Sequence, residues 1–554
     1  MKPERVLVER RNSSPILPSA ATLWSRRYNR LILAGLLIVL SLAGVFYGRA
    51  TGTLIEIYDE AGYLYGGMRI AEVGRPTYEN QYNVSIGPYF TLTALKVQRP
   101  GDDERFYPNY PPGYPLLIAL VRLMFPGWQN GIFYVTPLLA LLAALAVYGL
   151  GRRLGRGEAG LWAALLLLLT PVTIYNGTHA FSDVPALACL LMGYALLLTN
   201  ERPSALRGMA AGVFFGYAWL IRQISVVELI GVAVWLWLNR AEWRHPRRAW
   251  LGMGVTLALL GAAVLVYNTR VFGGPFTTGY APQHHWIPFP AFSWQNFLGQ
   301  SPIRPGGYQA VLTTVWGNLG VLGLAGAAVG LCVTPRRPVI TLGITALAFS
   351  IVQAFYAWPA SDTYGRFLLP TLAILRLFVA LGMAWLLGRL RARREIVLVL
   401  GTVLILLAQG PQALDTFRVV AQRTADTAAR VAYVRDVAVR TPPTAIFISR
   451  RYGDHFILYG NRAALLLEML VTREPGRYRE EEFEPTLTRA VQALLDQGAP
   501  VYVVADGVSG TRAGFFDPLP VLKAHFRLEL CPNLTPSIYR IVPVAPSIQL
   551  DDGC

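Results

Sequence analysis

The sequence predicts a polytopic α-helical membrane protein with a small α/β domain at its C-terminal end. Three observations predict this: 53% of the 554 residues are hydrophobic, only 15% are charged, and the apolar residues fall in blocks near the length that spans a bilayer. The mean hydropathy of +0.39 is far too high for a soluble chain of this size. A net charge of +17 would suit nucleic-acid binding only on a soluble basic face, whereas these arginines stand in short clusters between apolar blocks.

About eleven spans are predicted, and the polar loops between them alternate in charge. The spans lie near residues 31–49, 131–150, 158–175, 184–199, 206–221, 224–239, 249–268, 316–333, 338–356, 367–388 and 395–410. Six basic loops, from "WSRRYNR" to "GRLRARRE", then share one side, which the positive-inside bias assigns to the cytoplasm. Arginine supplies nearly all the positive charge, as is typical of high-GC prokaryotes. We therefore expect a prokaryotic plasma membrane, with segment 1–30 cytoplasmic and the C-terminus outside.

The membrane domain is predicted to span residues 31–410 and to have two long outer loops, 50–130 and an aromatic one at 268–315. In the first loop, "YPPGYPLLIALVRLMFPG" is too short to span and is bracketed by prolines, so it is predicted to be a helix lying in the outer interface.

The last segment, 411–554, changes character. "TAIFIS", "VYVVAD", "RLELCP" and "SIYRIVPV" predict strands, and "TLTRAVQALLDQG" predicts an amphipathic helix ending at Gly498. This is expected to be an extracytoplasmic soluble α/β domain.

Acidic residues occupy two places at the outer face. In "LIEIYDEAGYLYGG", Asp59 and Glu60 are expected at the outer end of the first span. They either stop the helix as interfacial carboxylates or include a partly desolvated base. Asp183, in "THAFSDVPALACLL", begins the fourth span. It fits a helix cap or first-turn acid as well as a functional acid.

Basic and aromatic candidates share this face. Arg366, in "SDTYGRFLLP", opens an apolar span from the outer side and is either a snorkelling anchor or a bidentate phosphate ligand. The phosphate argument extends to Arg222 and Lys96. The loop "FTTGYAPQHHWIPFPAFSWQNF" suits an aromatic belt, a sugar-stacking surface, or a pyrophosphate or metal site. Candidate substrate-binding residues are Tyr364, His284 and His285.

Several motifs occur in a characteristic order. They are the "DE" pair, "RIAEVGRPTY", "YPPGYPLLIAL", "YGLGRRLG", "PVTIYNGTHAFSDVPALACLLMGYALLL" and, late in the chain, "YGRFLLP". Together they resemble the GT-C glycosyltransferases, in the branch of protein O-mannosyltransferases, lipid A aminoarabinose transferases and RgtA/B/C/D-like enzymes. The resemblance covers roughly residues 30–390.

The resemblance implies an enzyme that passes a sugar from a polyprenyl-phosphate carrier to a lipid, glycan or protein acceptor on the outer face. Asp59 would be the base, Glu60 its neighbour, and Asp183 the second acid. Relatives often carry Lys or His where this chain has Tyr110. The carrier phosphate is therefore assigned among Lys96, Arg222 and Arg366.

The chemistry of the residues agrees with this implication. Displacement at an anomeric carbon needs a carboxylate on the attacking hydroxyl and positive charge on the leaving phosphate, and a single base favours inversion. A divalent cation could assist if Asp59 and Asp183 converge; no other cofactor is expected.

Two rival functions stay open at this stage. One is a lipid-linked oligosaccharide ligase, and the other is a polytopic transporter. A transporter predicts charges near span midpoints and internal repeats, whereas these acids cluster at one face.

Overall fold

The computed structural model describes residues 20–543 apart from 57, 100–101, 199–203, 241–246, 280–291, 301–306, 357–362, 391, 472, 475–476, 479, 506–516, 533 and 535. The described chain is mostly helical. Separate hydrophobic cores form within the helical bundle, within the segment that follows the first helix, and on each face of the C-terminal sheet.

The first helix leads into a compact segment of short elements. These elements are α1 (Ala20–Ala50), α2 (Tyr58–Val73), β1 (Tyr78–Glu79), α3 (Tyr82–Ser85), β2 (Val97–Arg99), β3 (Asp102–Tyr107) and α4 (Gly113–Met124). The central β3 pairs antiparallel with β1 and β2. The 12-residue α4 lies where an interfacial helix is predicted, and at 1.5 Å per residue it is too short to cross a bilayer.

Twelve further helices build the bundle. They are α5 (Val135–Leu154), α6 (Gly157–Leu168), α7 (Pro171–Thr178), α8 (Asp183–Leu197), α9 (Ala205–Ile221), α10 (Leu229–Leu238), α11 (Arg247–Phe272), α12 (Trp294–Phe297), α13 (Gly307–Val333), α14 (Arg336–Phe355), α15 (Leu369–Leu387) and α16 (Arg394–Arg440). Short 3-10 turns precede α5, α10 and α15.

The helix count supports the predicted membrane fold. Within the described ranges, seven helices are long and apolar enough to span a membrane, and the bent pair α6–α7 would make an eighth. The shorter apolar helices α8, α9 and α10 with its preceding turn fill the remaining predicted spans. The prediction of a polytopic helical membrane protein is confirmed.

Two of the spans are broken, and one arginine donates hydrogen bonds at both breaks. The α6–α7 pair bends by 64° where Pro171, which has no N–H, interrupts the helix. Helix α13 has non-helical dihedral angles at Gly320. Arg376 of α15 donates to the carbonyl oxygens of Leu166 and Asn318, at 2.9 Å each, and so satisfies acceptors beside both breaks.

The predicted boundary between the two domains, at residue 411, needs correction. It falls inside α16, which continues for 47 residues from Arg394 to Arg440 with Pro411 in its interior. A helix of that length extends over about 70 Å, more than twice the ~30 Å hydrocarbon core. The apolar pattern ends near residue 410 because the span ends there, while the helix continues.

The C-terminal domain has the elements that the sequence predicts. Its strands and helices are β4 (Ile446–Ile448), α17 (Gly453–Tyr459), β5 (Ala463–Leu465), β6 (Arg473–Glu474), β7 (Arg477–Tyr478), α18 (Phe483–Asp496), β8 (Val501–Val504), α19 (Pro518–His525), β9 (Arg527–Cys531) and β10 (Ile538–Val542). The five-stranded sheet has the order β5-β4-β8-β10-β9, with β5, β4 and β8 parallel and the other two strands antiparallel. Cys531 is disulfide-bonded.

The α/β domain packs on the segment between α1 and α5. The backbone N–H of Leu466 donates to the carbonyl oxygen of Tyr89 at 2.8 Å, and that of Ile55 donates to the Tyr459 hydroxyl at 2.6 Å. Phe90 is buried in the domain's own core. We call the side of the bundle that carries this segment and the α/β domain the domain side.

The close packing of α13 against α15 supplies a test of the fold. A Cβ at Gly330 would overlap the carbonyl oxygen of Phe378. We expect Gly330→Ala to force the two helices apart and to cost about 1–3 kcal/mol of stability, seen as a lower melting temperature of the purified protein.

Gly343 of α14 is the matched control, because no described atom lies within 4 Å of its Cβ position. Gly343→Ala should leave the melting temperature unchanged or raise it. Equal melting temperatures for the two variants would contradict the packing described.

Candidate functional site

The acidic stretch 56–60 lies at the start of a helix, not at the end of one. Helix α1 ends at Ala50 and α2 begins at Tyr58, so Asp59 and Glu60 lie in the first turn of α2. The prediction that they end the first span is therefore wrong. The unpaired N–H groups of a first helical turn favour acidic residues there, which explains how α2 accepts adjacent carboxylates. We call residues 56–60 the acid segment.

Glu60 is buried and fully engaged with the backbone. Its two carboxylate oxygens accept the N–H groups of Glu56 and Ala180, each at 2.8 Å. Only 3% of the residue is exposed. Because Ala180 lies just before α8, this one carboxylate ties the acid segment to the stretch 179–183.

Asp59 is held between an arginine and a tyrosine. Arg366 Nη1 lies 2.9 Å from Asp59 Oδ2, and the Tyr110 hydroxyl donates to Oδ1 at 2.6 Å. The Asp59 side chain is 28% exposed. A carboxylate has about four acceptor positions, so Asp59 can still accept a further proton or hydroxyl.

Asp183 lies at the first position of α8 and pairs with an arginine. Its preceding residue, Ser182, makes no side-chain cap hydrogen bond. The Asp183 carboxylate forms an ion pair with Arg222, which terminates α9, and only 5% of the Asp183 side chain is exposed.

The two ion pairs lie against one aromatic ring. The Cζ atoms of Arg366 and Arg222 lie 4.9 and 5.7 Å from the centroid of Phe367. Asp59, Arg366, Asp183 and Arg222, all predicted candidates, therefore line one site on the domain side.

The structure places Lys96 elsewhere. Lys96 forms an ion pair with Glu468 of the α/β domain. Beside it, Asp454 Oδ1 accepts the backbone N–H of Thr93 at 2.9 Å. Burial raises the pKa of Asp454 to about 6, although Thr93 and Lys96 oppose that shift. The described contacts of Lys96 thus belong to the domain interface.

The remaining predicted residues cannot be placed. His284 and His285 lie outside the described residues. Tyr364 belongs to the 3-10 turn Thr363–Leu368, but its side chain lies outside the described part.

Tyr110 and His179 join the site without having been predicted for it. The hydroxyl of Tyr110 reaches Asp59, and His179 lies 3.2 Å from Glu56. Tyr110 stood out in the sequence only as a departure from the relatives, and "THAF" only as loop sequence. Neither pattern indicated the partner.

Asp59 and Asp183 are not arranged as a divalent-cation site. Among the described residues, no group of three His, Cys, Asp or Glu side chains has an arrangement that could hold a metal ion. The predicted pair, Asp59 and Asp183, is divided between two arginines. A hard cation needs several oxygen ligands that are not already neutralised.

A cleft of about 610 Å³ opens on the α/β domain, between α18 and α19. The His525–Glu484 pair in this cleft is exposed, and no residue that lines the cleft takes part in the ion pairs around Phe367. We place the candidate site at Phe367, because the charged groups there are buried.

Residues 109–267 match the family model of dolichyl-phosphate-mannose-protein mannosyltransferase. A crystal structure of ArnT from Cupriavidus metallidurans bound to undecaprenyl phosphate superposes with a TM-score of 0.54 at 16% identity, covering 93% of this chain and 99% of that one. No curated protein sequence matches. The chain has the GT-C fold. The resemblance predicted from the motifs is confirmed.

Two further structures share this GT-C architecture. The apo form of the same ArnT gives a TM-score of 0.52 at 16% identity, over 94% of this chain and 98% of that one. The Archaeoglobus fulgidus oligosaccharyltransferase, in a complex with Zn and sulfate, gives 0.50 at 14% identity, over 84% of this chain and 68% of that one.

The buried ion pair of Asp183 with Arg222 predicts a stability effect. Arg222→Gln leaves the Asp183 carboxylate buried without its guanidinium partner, which should cost about 3–5 kcal/mol and lower the melting temperature. Asp183→Asn in the same chain should restore part of that loss.

The exposed pair Arg440–Asp436 is the control, with side chains 47% and 48% exposed. Arg440→Gln should cost no more than about 0.5 kcal/mol. If Arg222→Gln has the melting temperature of the wild type, the Asp183–Arg222 ion pair does not stabilise the fold around the site.

Proposed function

We propose that this GT-C protein transfers a sugar from a polyprenyl-phosphate-linked donor to an acceptor on the domain side. The observation that carries the proposal is the pairing of two carboxylates with two arginines around Phe367, at the boundary of an apolar bundle. The likeness to an ArnT that binds undecaprenyl phosphate supports the donor class. A prenyl tail stays in lipid, which confines its phosphate to such a boundary.

The proposed reaction is a single displacement. Asp59 takes the proton of the acceptor group, whose heteroatom attacks the anomeric carbon. The bond from that carbon to the phosphate oxygen breaks, and the polyprenyl phosphate leaves with the electron pair. Attack opposite the leaving group inverts the anomeric centre. Arg366 and Arg222 would stabilise the charge that develops on the phosphate.

The geometry couples donor binding to the base. Arg366 binds Asp59 directly, so a phosphate that draws this guanidinium toward itself weakens its hold on the carboxylate. Asp59 then becomes more basic as the leaving group is fixed. The Tyr110 hydroxyl would keep the carboxylate oriented during that exchange.

Other residues take supporting roles in the proposal. Glu60 positions the acid segment through its two backbone N–H donors, and Asp183 positions Arg222. Lys96 stays a predicted ligand of the donor phosphate, and Tyr364, His284 and His285 stay predicted substrate contacts. The proposed displacement involves no metal ion, because the carboxylates of Asp59 and Asp183 each bind an arginine.

We also propose the orientation expected from the basic loops. The bundle would lie in a prokaryotic plasma membrane, with the N-terminal segment in the cytoplasm and the α/β domain outside. Basic residues of several helix ends meet on the side opposite the domain. There, Arg337 donates to Asn239 at 2.7 Å, and Arg394 lies over Tyr28.

An oligosaccharide ligase is the second candidate, supported by the likeness to the Archaeoglobus oligosaccharyltransferase. A ligase would use a whole lipid-linked glycan, so a donor panel that includes single sugars and oligosaccharides separates the two. A transporter is disfavoured, because the acids of the site lie at helix ends and the buried Arg376 is bound to backbone carbonyls.

Asp59→Asn tests the base. The amide keeps the shape of the carboxylate but cannot accept the proton, so transfer from a panel of undecaprenyl-phosphate-linked sugars should fall by about 10²–10⁴-fold. Undecaprenyl phosphate should bind at least as tightly as to wild type, because Arg366 loses a competing anion. Asp436→Asn, on the exposed face of α16, is the control and should keep wild-type turnover. Near-normal transfer by Asp59→Asn would rule out this mechanism.

Arg366→Lys tests the phosphate ligand. A lysine ammonium cannot bridge Asp59 and a phosphate with the planar fork of a guanidinium, so the affinity for undecaprenyl phosphate should fall about tenfold. Arg440→Lys makes the same exchange at a surface pair and should leave the affinity unchanged. Unchanged affinity in Arg366→Lys would return this arginine to an anchoring role.

A further inference from the structure

A buried acid–base pair lies beside the site, between Glu56 and His179. His179 Nε2 is 3.2 Å from Glu56 Oε2, and His179 Nδ1 is 2.7 Å from the carbonyl oxygen of Tyr175. The side chains are 5% and 12% exposed, respectively, for His179 and Glu56. A carbonyl oxygen only accepts, and so does an ionised carboxylate, so this geometry suits an imidazolium ring with a proton on each nitrogen.

The charges around His179 favour that state. Glu56 and Glu60 face it from the acid segment, Tyr175 from α7, and Arg423 from α16. Arg423 Nη1 lies 3.8 Å from Glu56 Oε1, so a guanidinium also faces the pair. Burial lowers the pKa of His179, but the hydrogen bond that its ring donates to Glu56 and the charges of Glu60 and Glu56 outweigh that effect, so the pKa is raised.

His179 also contacts the site through aromatic rings. Its ring stacks on Tyr175 with centroids 4.4 Å apart and on Phe181 with centroids 5.7 Å apart. The Cζ atom of Arg366, the partner of Asp59, lies 4.8 Å from the Phe181 centroid. These ring contacts connect His179 to the guanidinium that contacts the base.

Three contacts join the acid segment and α2 to the stretch 179–183. They are the Glu56–His179 pair, the Glu60 bond to the Ala180 N–H, and the 2.8 Å bond between the Tyr63 and Ser182 hydroxyls. The acid segment carries Asp59, and the stretch 179–183 carries Asp183. Of the three contacts, only the Glu56–His179 pair contains an imidazole, the side chain whose ordinary pKa lies near neutral pH.

We propose that protonated His179 is a positioning residue whose ion pair with Glu56 keeps Asp59 in register with Arg366 and Asp183. The inference rests on the proposed glycosyl transfer. When His179 loses its proton, its Nε2 lone pair faces the Glu56 carboxylate and the pair opens. Misplacement of a catalytic group by about 1 Å can cost 10²-fold in rate.

The proposal fixes the shape of the pH profile. The positive charge of His179 is present below its pKa and is lost as the pH rises through that value. Turnover should therefore decline on the alkaline side through His179.

The ion pair can be tested directly by NMR of the full chain in detergent, labelled at histidine Cε1. The sequence has six histidines, and the resonance lost in His179→Gln identifies this one. We expect it to titrate above the ordinary histidine value of about 6.5, and Glu56→Gln to lower that pKa. Titration at or below 6.5, or no response to Glu56→Gln, would overturn the ion pair.

The positioning role is tested by kcat against pH, using the undecaprenyl-phosphate-linked sugar that supports transfer. His179→Gln should remove the alkaline decline, and Glu56→Gln should shift it to lower pH. The affinity for undecaprenyl phosphate should change by less than about threefold, because Arg366 and Arg222 are retained. His525→Gln disrupts a comparable pair with Glu484, at 2.8 Å in the α/β domain, and should keep the wild-type profile.

The outcomes separate this inference from the proposed function. Transfer with the same alkaline decline in wild type and His179→Gln overturns the positioning role and leaves the transferase intact. Absence of transfer from every donor in the panel overturns the proposed function, and the NMR titration still decides whether the Glu56–His179 pair exists.

Discussion

The carboxylate of Glu60 holds together the two stretches on which the whole site depends. It accepts backbone N–H groups from Glu56 and Ala180, which are separated by more than a hundred residues in the chain. Burying an ionised carboxylate is expensive unless hydrogen bonds replace its water, and here two N–H donors and the start of α2 do so. The bond to Ala180 fixes Asp59 relative to Asp183. Adjacent acids thus serve different purposes, because Glu60 holds the backbone while Asp59 faces the arginine.

The cations come from other helices, so the site exists only when the bundle is packed. Arg222 terminates α9, and Arg366 lies in the turn before α15. Their positions depend on where α9 ends and α15 begins, and Arg376 of α15 binds carbonyl groups beside the breaks in two neighbouring spans. Close helix contacts, such as that at Gly330, leave little freedom for these ends to shift. The packing of the membrane domain therefore determines where these charged groups lie at its surface.

The predictions from sequence succeeded where the signal is local. Apolar blocks predicted the spans, and short β-branched runs predicted β4 and β8 of the α/β domain. Two predictions failed because a change in polarity marks membrane depth and does not mark the end of a helix: α16 continues past residue 410, and Asp59 lies in the first turn of α2. The sequence did not indicate which side chains would form pairs. Nothing near Tyr110 or His179 in the chain indicates that Asp59 or Glu56 will lie beside it, since those contacts arise only on folding.

The balance of charge explains how such a site can lie at the edge of a bilayer. Asp59 and Asp183 each meet an arginine, so neither sign is buried alone. A phosphate that enters would take over guanidinium groups that already bind anions, and the number of buried unpaired charges would hardly change. The free energy of phosphate binding then drives an exchange of partners at Arg366, from the Asp59 carboxylate to the phosphate. In the proposed reaction that exchange is useful, because the anion displaced from the guanidinium is the carboxylate that must accept the proton.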